Sequence, residues 1–404
     1  MISENPPAEP DLSADSCFLF FPGNGYNAFR AASPETKEGS IVLKCGIIGL
    51  PLSGKSTVFN VVTRAGAEVK PYASGKTDPN RAMVNVPDER FDNLVRIFEP
   101  RKETPATVEF VDLAGLSRNA SKGEGLGNSF LSFVSESDAL VHVIRLFENP
   151  DVPHPENSID PVRDWSIVEM ELIFRDLGVI ENRLSRLQAK KKNIPAEQAE
   201  EALLEKCQAC LLEERPLRDL QLTPEEIRTL SGFAFVTLKP EMIVANLDES
   251  QTDENLPLLE SLRSMASEKG LSFVRVFGKM EMELADLAQE EQAEFMQDLG
   301  VKEPGRNRLI TEAYRLLGLI SFFTSGKDEV KAWTLRRGDT AVDAAGTIHS
   351  DLARGFIRAQ VVSYDDFAAH EASLARCREK GVLRLEGKDY RVLDGDMIEI
   401  RFNV

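Results

Sequence analysis

A glycine-bounded loop between an apolar run and a helical run dominates the first part of the sequence. The run IVLKCGIIGL (41–50) has the composition of a strand buried in a parallel sheet, and VFNVVT continues as helix. The loop GLPLSGKST (49–57) satisfies the pattern G-x-x-x-x-G-K-[ST] at Gly49, Gly54, Lys55 and Ser56. Successive backbone N–H groups in such a loop, aided by the N-terminus of the following helix, cradle phosphate groups. The segment therefore predicts a phosphate-binding loop in a parallel α/β fold.

Side chains of this loop and of a second motif predict a site for magnesium and a triphosphate. Lys55 is placed to reach the β- and γ-phosphates, and Ser56 offers its hydroxyl to Mg²⁺. Asp112 ends the run TVEFVD, where a carboxylate holds the metal through water, and Gly115 can donate its N–H to the γ-phosphate. Thr77, in SGKTDPN, is either a further metal ligand or part of a plain turn. The other residues of the predicted phosphate cradle are Leu52, Ser53 and Thr57.

Further apolar runs repeat the pattern of the first strand. They are VEFVD (108–112), ALVHVIRLF (139–147), the run ending in IVAN (243–246) and FVRVF (273–277). Helical stretches separate these runs, and such alternation predicts a parallel α/β sheet. Two long helical patterns around the lysine run at 190–192 interrupt the alternation and predict an inserted helical hairpin.

The C-terminal part of the sequence has a different pattern of strands and turns from the α/β part. VKAWTL, GFIRAQVVS, DYRVL and MIEIRF are short strand patterns separated by turns, which predicts a small α+β module. We therefore predict four parts with these bounds: a loose tail at 1–40, a nucleotide-binding domain at 41–159 and 231–320, the hairpin at 160–230, and the C-terminal module at 321–404.

The residues that would activate the attacking water match the usual pattern less well than the phosphate loop does. Many GTPases place a glutamine directly after the glycine of the aspartate–x–x–glycine motif. Here the residue after Gly115 is Leu116, which cannot orient water. Catalysis must borrow a group from elsewhere or remain slow. His154, in NPDVPHPEN, is either a surface loop histidine without a role or a residue that positions water or handles a proton. His142, inside ALVHVIRL, is read as a hydrogen-bonded core histidine.

The loop IVANLDES (243–250) predicts weak preference for guanine. Guanine readers usually carry Asn-Lys-x-Asp here, whereas this chain has Asn246, Leu247 and Glu249. Asn246 can still hydrogen-bond to the edge that adenine and guanine share. Leu247 offers only apolar contact to the base. The side chain of Glu249 is one methylene longer than that of the usual aspartate. Losing bidentate contacts to a charged group removes roughly 1.5–3 kcal/mol per bond. We expect adenine to be tolerated at least, unless Asp248 supplies the missing carboxylate.

Charge and hydropathy restrict the partners. The formal charge of −18 means that the overall electrostatic field of the protein repels nucleic acid, so an RNA contact needs a local basic face. The lysines at 190–192 are either a solvated hairpin tip or such a contact. No apolar run approaches the ~18 residues of a membrane span, and the first residues lack a signal-peptide pattern. The sequence therefore predicts a cytoplasmic protein without a membrane contact.

These motifs together resemble the Obg-related ATPases of the YchF type, which are P-loop proteins of the translation-factor class. The resemblance runs from about 44 to 404 and rests on KCGIIGLPLSGKST, EFVDLAGL, ASKGEGLGNSFL, HVIRLFEN, DPVRD, ANLDE and the final LEGKDYRVLDGDMIEIRFNV. It implies a C-terminal TGS domain of β-grasp shape beside the hairpin-bearing nucleotide domain. It also implies Mg²⁺, ATP bound in preference to or alongside GTP, slow hydrolysis, and association with ribosomes through the large subunit or RNA. The family's catalytic loop histidine corresponds to His154.

Two other functions fit the same motifs. One is a GTP-preferring GTPase, and the other is a non-catalytic ribosome adaptor that binds nucleotide for stability. The phosphate loop also departs from the family at Leu52 and Ser53, where Asn-Val is usual, and the long SGKTDPN segment leaves the role of Thr77 open.

Overall fold

The computed structural model describes residues 43–63, 80–113, 133–190, 194–249, 251, 256–285, 287, 291–292 and 303–403. Several sequence predictions lie outside these residues: the tail at 1–40, Thr77, Gly115, Leu116, Lys191 and Lys192. Within the described ranges, no helix is both long enough and apolar enough to cross a membrane.

The first sheet has the strand order β2-β4-β1-β5-β6-β7. Its strands are β1 (Lys44–Ile48), β2 (Asn80–Asn85), β4 (Thr107–Asp112), β5 (Ala139–Arg145), β6 (Glu241–Asn246) and β7 (Ser272–Val276). The five strands predicted from apolar runs pair in parallel, whereas β2, which the sequence did not indicate, pairs antiparallel with β4. Every residue of β5 and β6 is buried, which explains why these strands read as continuous apolar runs.

Helices cover this sheet and form the rest of the α/β part. They are α1 (Lys55–Thr63), α2 (Glu89–Phe98), α3 (Pro161–Gln188), α4 (Pro195–Leu212), α5 (Pro224–Leu230), α6 (Pro257–Glu268), α7 (Gly278–Leu284) and α8 (Gly305–Leu316). Helices α3 and α4 are the predicted hairpin. Asp160 caps α3 by accepting a hydrogen bond from the backbone N–H of Arg163, and Pro161 occupies the first turn, where its missing N–H does no harm.

A second sheet, ordered β11-β10-β12-β8-β9-β3, forms the C-terminal module. Its strands are β8 (Leu319–Ser325), β9 (Glu329–Arg336), β10 (Phe356–Ser363), β11 (Arg384–Glu386), β12 (Asp396–Phe402) and β3 (Lys102–Thr104). Its helices are α9 (Ala341–Ile348), α10 (Ser350–Arg354), α11 (Tyr364–Ala369) and α12 (Leu374–Glu379). The prediction of a strand at DYRVL was wrong. Its backbone instead bonds to the loop around Asp339, with an isolated bridge from Arg391 to Thr340.

The two sheets are joined by the chain between β2 and β4, a feature the sequence did not indicate. Strand β3 comes from this segment and pairs in parallel with β9 at the edge of the second sheet. Arg90 of α2 bonds to Asp394, and Phe98 stacks on Phe367 with ring centroids 6.2 Å apart. Side chains of both sheets belong to one continuous apolar core. The module at the C-terminus is therefore packed directly on the nucleotide-binding part.

Candidate nucleotide site

The loop after β1 has the backbone shape that its glycines permit. Gly49 has φ +143° and Gly54 has φ +92°, values that side-chain-bearing residues rarely adopt. A Cβ on Gly49 would collide with the carbonyl oxygen of Val143, and one on Gly54 would collide with the side-chain amide of Asn246. Leu52, at φ 63°, lies at the exposed tip of the loop. The predicted phosphate cradle is therefore packed tightly against β5 and β6.

Lys55 lies inside this loop. Its Nζ donates to the carbonyl oxygens of Gly49, at 3.0 Å, and Leu50, at 2.7 Å. Burial lowers the pKa of Lys55 to about 8, and the charge of Asp112 opposes that shift. The ammonium group is thus held by two neutral acceptors, which an anionic phosphate oxygen can replace with stronger charge-assisted bonds.

Oxygen donors suitable for a divalent cation lie next to Lys55. Ser56 is exposed in the first turn of α1, and Asp112 is buried at the end of β4. A hydroxyl and a carboxylate are the hard oxygen donors that Mg²⁺ prefers, so this set fits the metal. Thr57 is half-buried beside Gly278, where an added Cβ would lie 3.2 Å from its Cγ2. The metal-binding prediction for Thr77 stays untested because that residue lies outside the described ranges.

The loop IVANLDES is hydrogen-bonded to the phosphate loop and to the loop after β7. The Nδ2 of Asn246 donates to the carbonyl of Ser53 at 3.1 Å, and its Oδ1 accepts from the N–H of Gly278 at 3.3 Å. Asn246 therefore fixes the phosphate loop to the loop after β7, a role the sequence reasoning missed. Leu247 is buried in the apolar core beside the site, whereas Glu249 is exposed. Contacts of these three residues with a base stay predictions.

His154 is a buried side chain in contact with a carboxylate, so the interpretation as a free surface histidine was wrong. Only 6% of its side chain is exposed, and its Nε2 lies 2.9 Å from Oδ2 of Asp164. Its Nδ1 accepts a hydrogen bond from the backbone N–H of Glu156 at 3.1 Å. An accepting Nδ1 leaves the proton of a neutral ring on Nε2, facing the carboxylate. Both ring nitrogens are thus engaged in this conformation.

Arg145 is a residue of the site that the sequence analysis did not single out. Its buried guanidinium donates to the carbonyls of Phe147 and Val152 and lies over the Phe147 ring, 4.4 Å from the centroid. Its Nη1 and the Oγ of Ser53 make no hydrogen bond to any described residue. Both side chains line a narrow cleft with His154 and Asp164 beside the phosphate loop. The signal that could have revealed Arg145 was a lone charge within the apolar run ALVHVIRLF.

A second buried polar network lies deeper in the sheet, at the root of the hairpin. The Nδ1 of His142 lies 2.8 Å from Oε1 of Glu241, which confirms the interpretation of His142 as a hydrogen-bonded core residue. Trp165 donates its indole N–H to the same oxygen at 3.0 Å. Arg218 bridges Glu241, at 2.5 Å, and Glu169, at 2.7 Å. The network joins β5, β6, α3 and the chain that follows α4.

Burial and charge act in opposite directions on the two carboxylates of this network. For Glu241, burial would raise the pKa, but the charge of Arg218 and the hydrogen bond from His142 lower it to about 2. For Glu169, burial is the stronger effect, and its pKa rises to about 7 although Arg218 opposes the shift. Arg218 is therefore the counter-ion of Glu241 above all.

Comparison with family models gives two matches. A model described as a 50S ribosome-binding GTPase matches residues 44–175, which contain the phosphate loop, Asp112 and His154. A model named for the C-terminal part of YchF GTPases, and described as a protein of unknown function, matches residues 319–403. The second range coincides closely with the described strands β8 to β12.

Full-length relatives extend this similarity over nearly the whole chain. A protein of Haemophilus ducreyi named "Ribosome-binding ATPase YchF" is 45% identical over 362 residues, which cover 89% of this chain and 99% of that protein. A protein of the same name from Bacillus subtilis is 41% identical over 371 residues, which cover 90% and 100%. The solved structure of the Schizosaccharomyces pombe YchF GTPase superposes with a TM-score of 0.80 at 31% identity, covering 92% of this chain and 100% of that one.

Proposed function

The chain belongs to the YchF family of P-loop nucleotide hydrolases, and on that premise we propose that it hydrolyses ATP slowly and uses its nucleotide state to regulate ribosome association. The observation that carries the proposal is the position of Lys55 inside the loop, with Asp112 close enough to affect its pKa. This arrangement suits a triphosphate with a bound metal. The names of the relatives support ATP and the ribosome as partners. Contact through the large subunit or RNA, in the cytoplasm, is part of the same proposal.

Mg²⁺ would be held by Ser56 and Asp112, with Thr77 as a candidate third ligand. When bound, the ion neutralises charge on the β- and γ-phosphate oxygens. Lys55 exchanges the carbonyls of Gly49 and Leu50 for those oxygens, and backbone N–H groups from Gly49 to Thr57 surround the phosphates. We also assign to Gly115 a backbone N–H that donates to the γ-phosphate.

The slow rate follows from two residues. Leu116 has no polar group with which to orient water. His154 is assigned the role of acting on the attacking water, but its two ring nitrogens are engaged by Glu156 and Asp164. The loop that carries His154 must therefore move before the imidazole can reach a water at the γ-phosphate. That step makes intrinsic turnover slow even when ATP and Mg²⁺ are bound.

The base preference follows from the loop at Asn246. Both polar atoms of its side chain already bind protein groups, and no lysine–x–aspartate follows it to select guanine. ATP is therefore the preferred substrate, with GTP secondary. Asn246, Leu247 and Glu249 are the residues that we assign to the base.

Single-turnover hydrolysis of ATP and GTP, with and without Mg²⁺, tests this function. The parent should hydrolyse ATP in a magnesium-dependent reaction, Lys55→Ala should be inactive, and His154→Ala should be slower by roughly 10²-fold with unchanged ATP affinity. Co-sedimentation with ribosomes should differ between ATP and ADP for the parent and for His154→Ala, but not for Lys55→Ala.

Each alternative function has its own outcome. Hydrolysis equal to that of Lys55→Ala would make the protein an adaptor, and tighter binding of GTP than ATP would make it a GTPase. Unchanged turnover in His154→Ala would remove that residue from the mechanism.

A further inference from the structure

The last residue of β5 is an arginine whose guanidinium is only partly used. Arg145 is 3% exposed and ends a strand in which every residue is buried. Its Nε donates to the carbonyl of Phe147 at 3.1 Å, and its Nη2 donates to the carbonyl of Val152 at 2.9 Å. Its Nη1 is buried and makes no hydrogen bond to any described residue. A buried charged donor without an acceptor is costly, so this nitrogen requires an explanation.

The two carbonyls that Arg145 binds fix the first part of the loop that carries His154. Val152 precedes His154 by two residues, so the imidazole moves on a short segment whose start is anchored to the sheet. The Phe147 ring lies 4.4 Å from the guanidinium, and a Cβ on Gly54 would lie 3.7 Å from the same ring. Arg145 therefore connects β5, the phosphate loop and the base of the His154 loop.

A buried carboxylate lies in the same cleft as Arg145. The Oδ1 of Asp164 accepts two hydrogen bonds from Arg163, at 3.0 Å and 2.7 Å, and its Oδ2 lies 2.9 Å from Nε2 of His154. Arg145, His154 and Asp164 line the cleft together. Burial lowers the pKa of Arg145, and the negative charge of Asp164 opposes that shift. The guanidinium and the carboxylate thus interact electrostatically, although Nη1 and Oδ2 share no hydrogen bond in this conformation.

Movement of His154 changes the surroundings of this carboxylate. In the proposed function, His154 must leave Asp164 before the imidazole can reach the attacking water. Arg163 binds only Oδ1, so Oδ2 then becomes a buried carboxylate oxygen without its contact, which is unfavourable. Two unused donors line the cleft, Nη1 of Arg145 and the hydroxyl of Ser53. The hydroxyl is neutral, whereas the guanidinium offers a charge-assisted hydrogen bond.

We propose that Arg145 is a positioning residue for hydrolysis, whose Nη1 bonds to Oδ2 of Asp164 when His154 leaves that oxygen. The new bond stabilises the conformation in which the imidazole is free, while Nε and Nη2 keep the base of the loop in place. Arg145 contacts neither the nucleotide nor the water in this exchange, and no covalent bond changes. The inference rests on the proposed function in that His154 acts on the attacking water.

The test is a double-mutant cycle between Arg145 and Asp164. Arg145→Gln removes the charge, and Arg145→Lys keeps the charge but loses the planar set of donors that serves two carbonyls and a carboxylate at once. Both changes are made in the parent and in Asp164→Asn, and ATP affinity and single-turnover ATP hydrolysis are measured. In the parent, Arg145→Gln should slow hydrolysis about tenfold and Arg145→Lys about threefold, with unchanged ATP affinity. In Asp164→Asn, each change should slow it less than about twofold, because the buried neutral amide needs no cation.

Two controls separate this exchange from a general effect of losing an arginine. Arg391→Gln removes an arginine that also donates to a backbone carbonyl, that of Gly338, but lies in the C-terminal module, and it should hydrolyse ATP like the parent. In a His154→Ala background no imidazole leaves Asp164, so Arg145→Gln should slow the remaining hydrolysis less than about twofold.

The possible outcomes distinguish the inference from the function on which it rests. Equal slowing by the Arg145 changes in the parent and in Asp164→Asn would overturn the exchange, because Arg145 would then act only through the fold of its loop. Weaker ATP binding with an unchanged rate at saturating ATP would overturn it as well. If Arg145→Gln does not fold, the Arg145→Lys cycle decides by the same criterion. Unchanged turnover in His154→Ala would contradict the proposed function itself, and the exchange would fall with it.

Discussion

Two histidines of this molecule make almost the same contact in very different surroundings. His142 and His154 are both buried, and each places one ring nitrogen within 2.8–2.9 Å of a carboxylate oxygen. The partner of His142 is Glu241, which Trp165 and Arg218 also hold from other sides. The partner of His154 is Asp164; its Oδ2 accepts no hydrogen bond from any described group, and its Oδ1 accepts two from Arg163.

The difference shows that a histidine–carboxylate contact does not by itself indicate function. His142 lies in the middle of a strand, and its partner is fixed by several buried donors, so the contact belongs to the framework. His154 lies in a loop beside Leu50 and Pro51 of the phosphate loop, where its contact with the carboxylate can be exchanged for another. We therefore expect changes around His142 to alter stability and changes around His154 to alter rate.

The largest effect should come from Arg218→Met. This change leaves two buried carboxylates without their cation, and breaking a buried pair from one side destabilises a protein by about 3–5 kcal/mol. Urea denaturation followed by fluorescence suits the measurement because Trp165 belongs to the network. Arg315→Met is the matched control, since that exposed arginine, paired with Glu312 on the same helix, should contribute less than about 1 kcal/mol. Equal losses of unfolding free energy in the two variants would show that the buried network stabilises the fold no more than an exposed ion pair does.

A smaller effect should come from Glu169→Gln, and it should depend on pH. Burial raises the pKa of Glu169 from 4.5 to about 7. The folded parent therefore loses stability as pH rises from about 4.5 to about 7, because the unfolded chain releases the proton of this carboxyl in that window while the buried carboxyl retains it. The variant lacks this loss, so its unfolding free energy relative to the parent should increase over that window, by at most about 3 kcal/mol. Parallel stability curves for parent and variant between pH 4.5 and 8 would contradict the assignment.

The smallest expected effect concerns the rate and tests the comparison directly. Asp164→Asn replaces a charged partner of His154 by a neutral one, which should release the imidazole more easily and raise single-turnover ATP hydrolysis about fivefold. Glu241→Gln makes the equivalent change at His142 and should leave the rate unchanged while lowering stability. The gain should vanish in a His154→Ala background. A slower Asp164→Asn protein would instead mean that the carboxylate positions the histidine for catalysis.

The sequence predicted the parts of this molecule that depend on local pattern. Continuous apolar runs indicated the parallel strands, and the spacing of Gly49, Gly54 and Lys55 indicated the phosphate loop, because both are encoded by neighbouring residues. Contacts between distant residues left no such signal. The bonds of Asn246 to Ser53 and Gly278 link positions far apart in the chain, and the partnership of His154 with Asp164 depends on how a loop folds back onto α3.

Strand β3 escaped prediction for the same reason. It has only three residues, with a polar composition, and its pairing with β9 joins positions separated by more than two hundred residues, as the hydrogen bond between Thr104 and Glu329 shows. Neither periodicity nor hydrophobicity marks so short an edge strand.

That pairing has a consequence for how the protein is made. Residues 102–104 leave the ribosome long before β9 is synthesised, so β3 has no partner during most of translation. The C-terminal sheet, in turn, completes its edge only by pairing with chain that was synthesised more than two hundred residues earlier. A fragment beginning at β8 would expose the free edge of β9 and the apolar surface that α2 covers, including Phe367, and such edges promote aggregation. The final module thus depends on the nucleotide-binding part for its edge strand β3 and for the helix that covers Phe367.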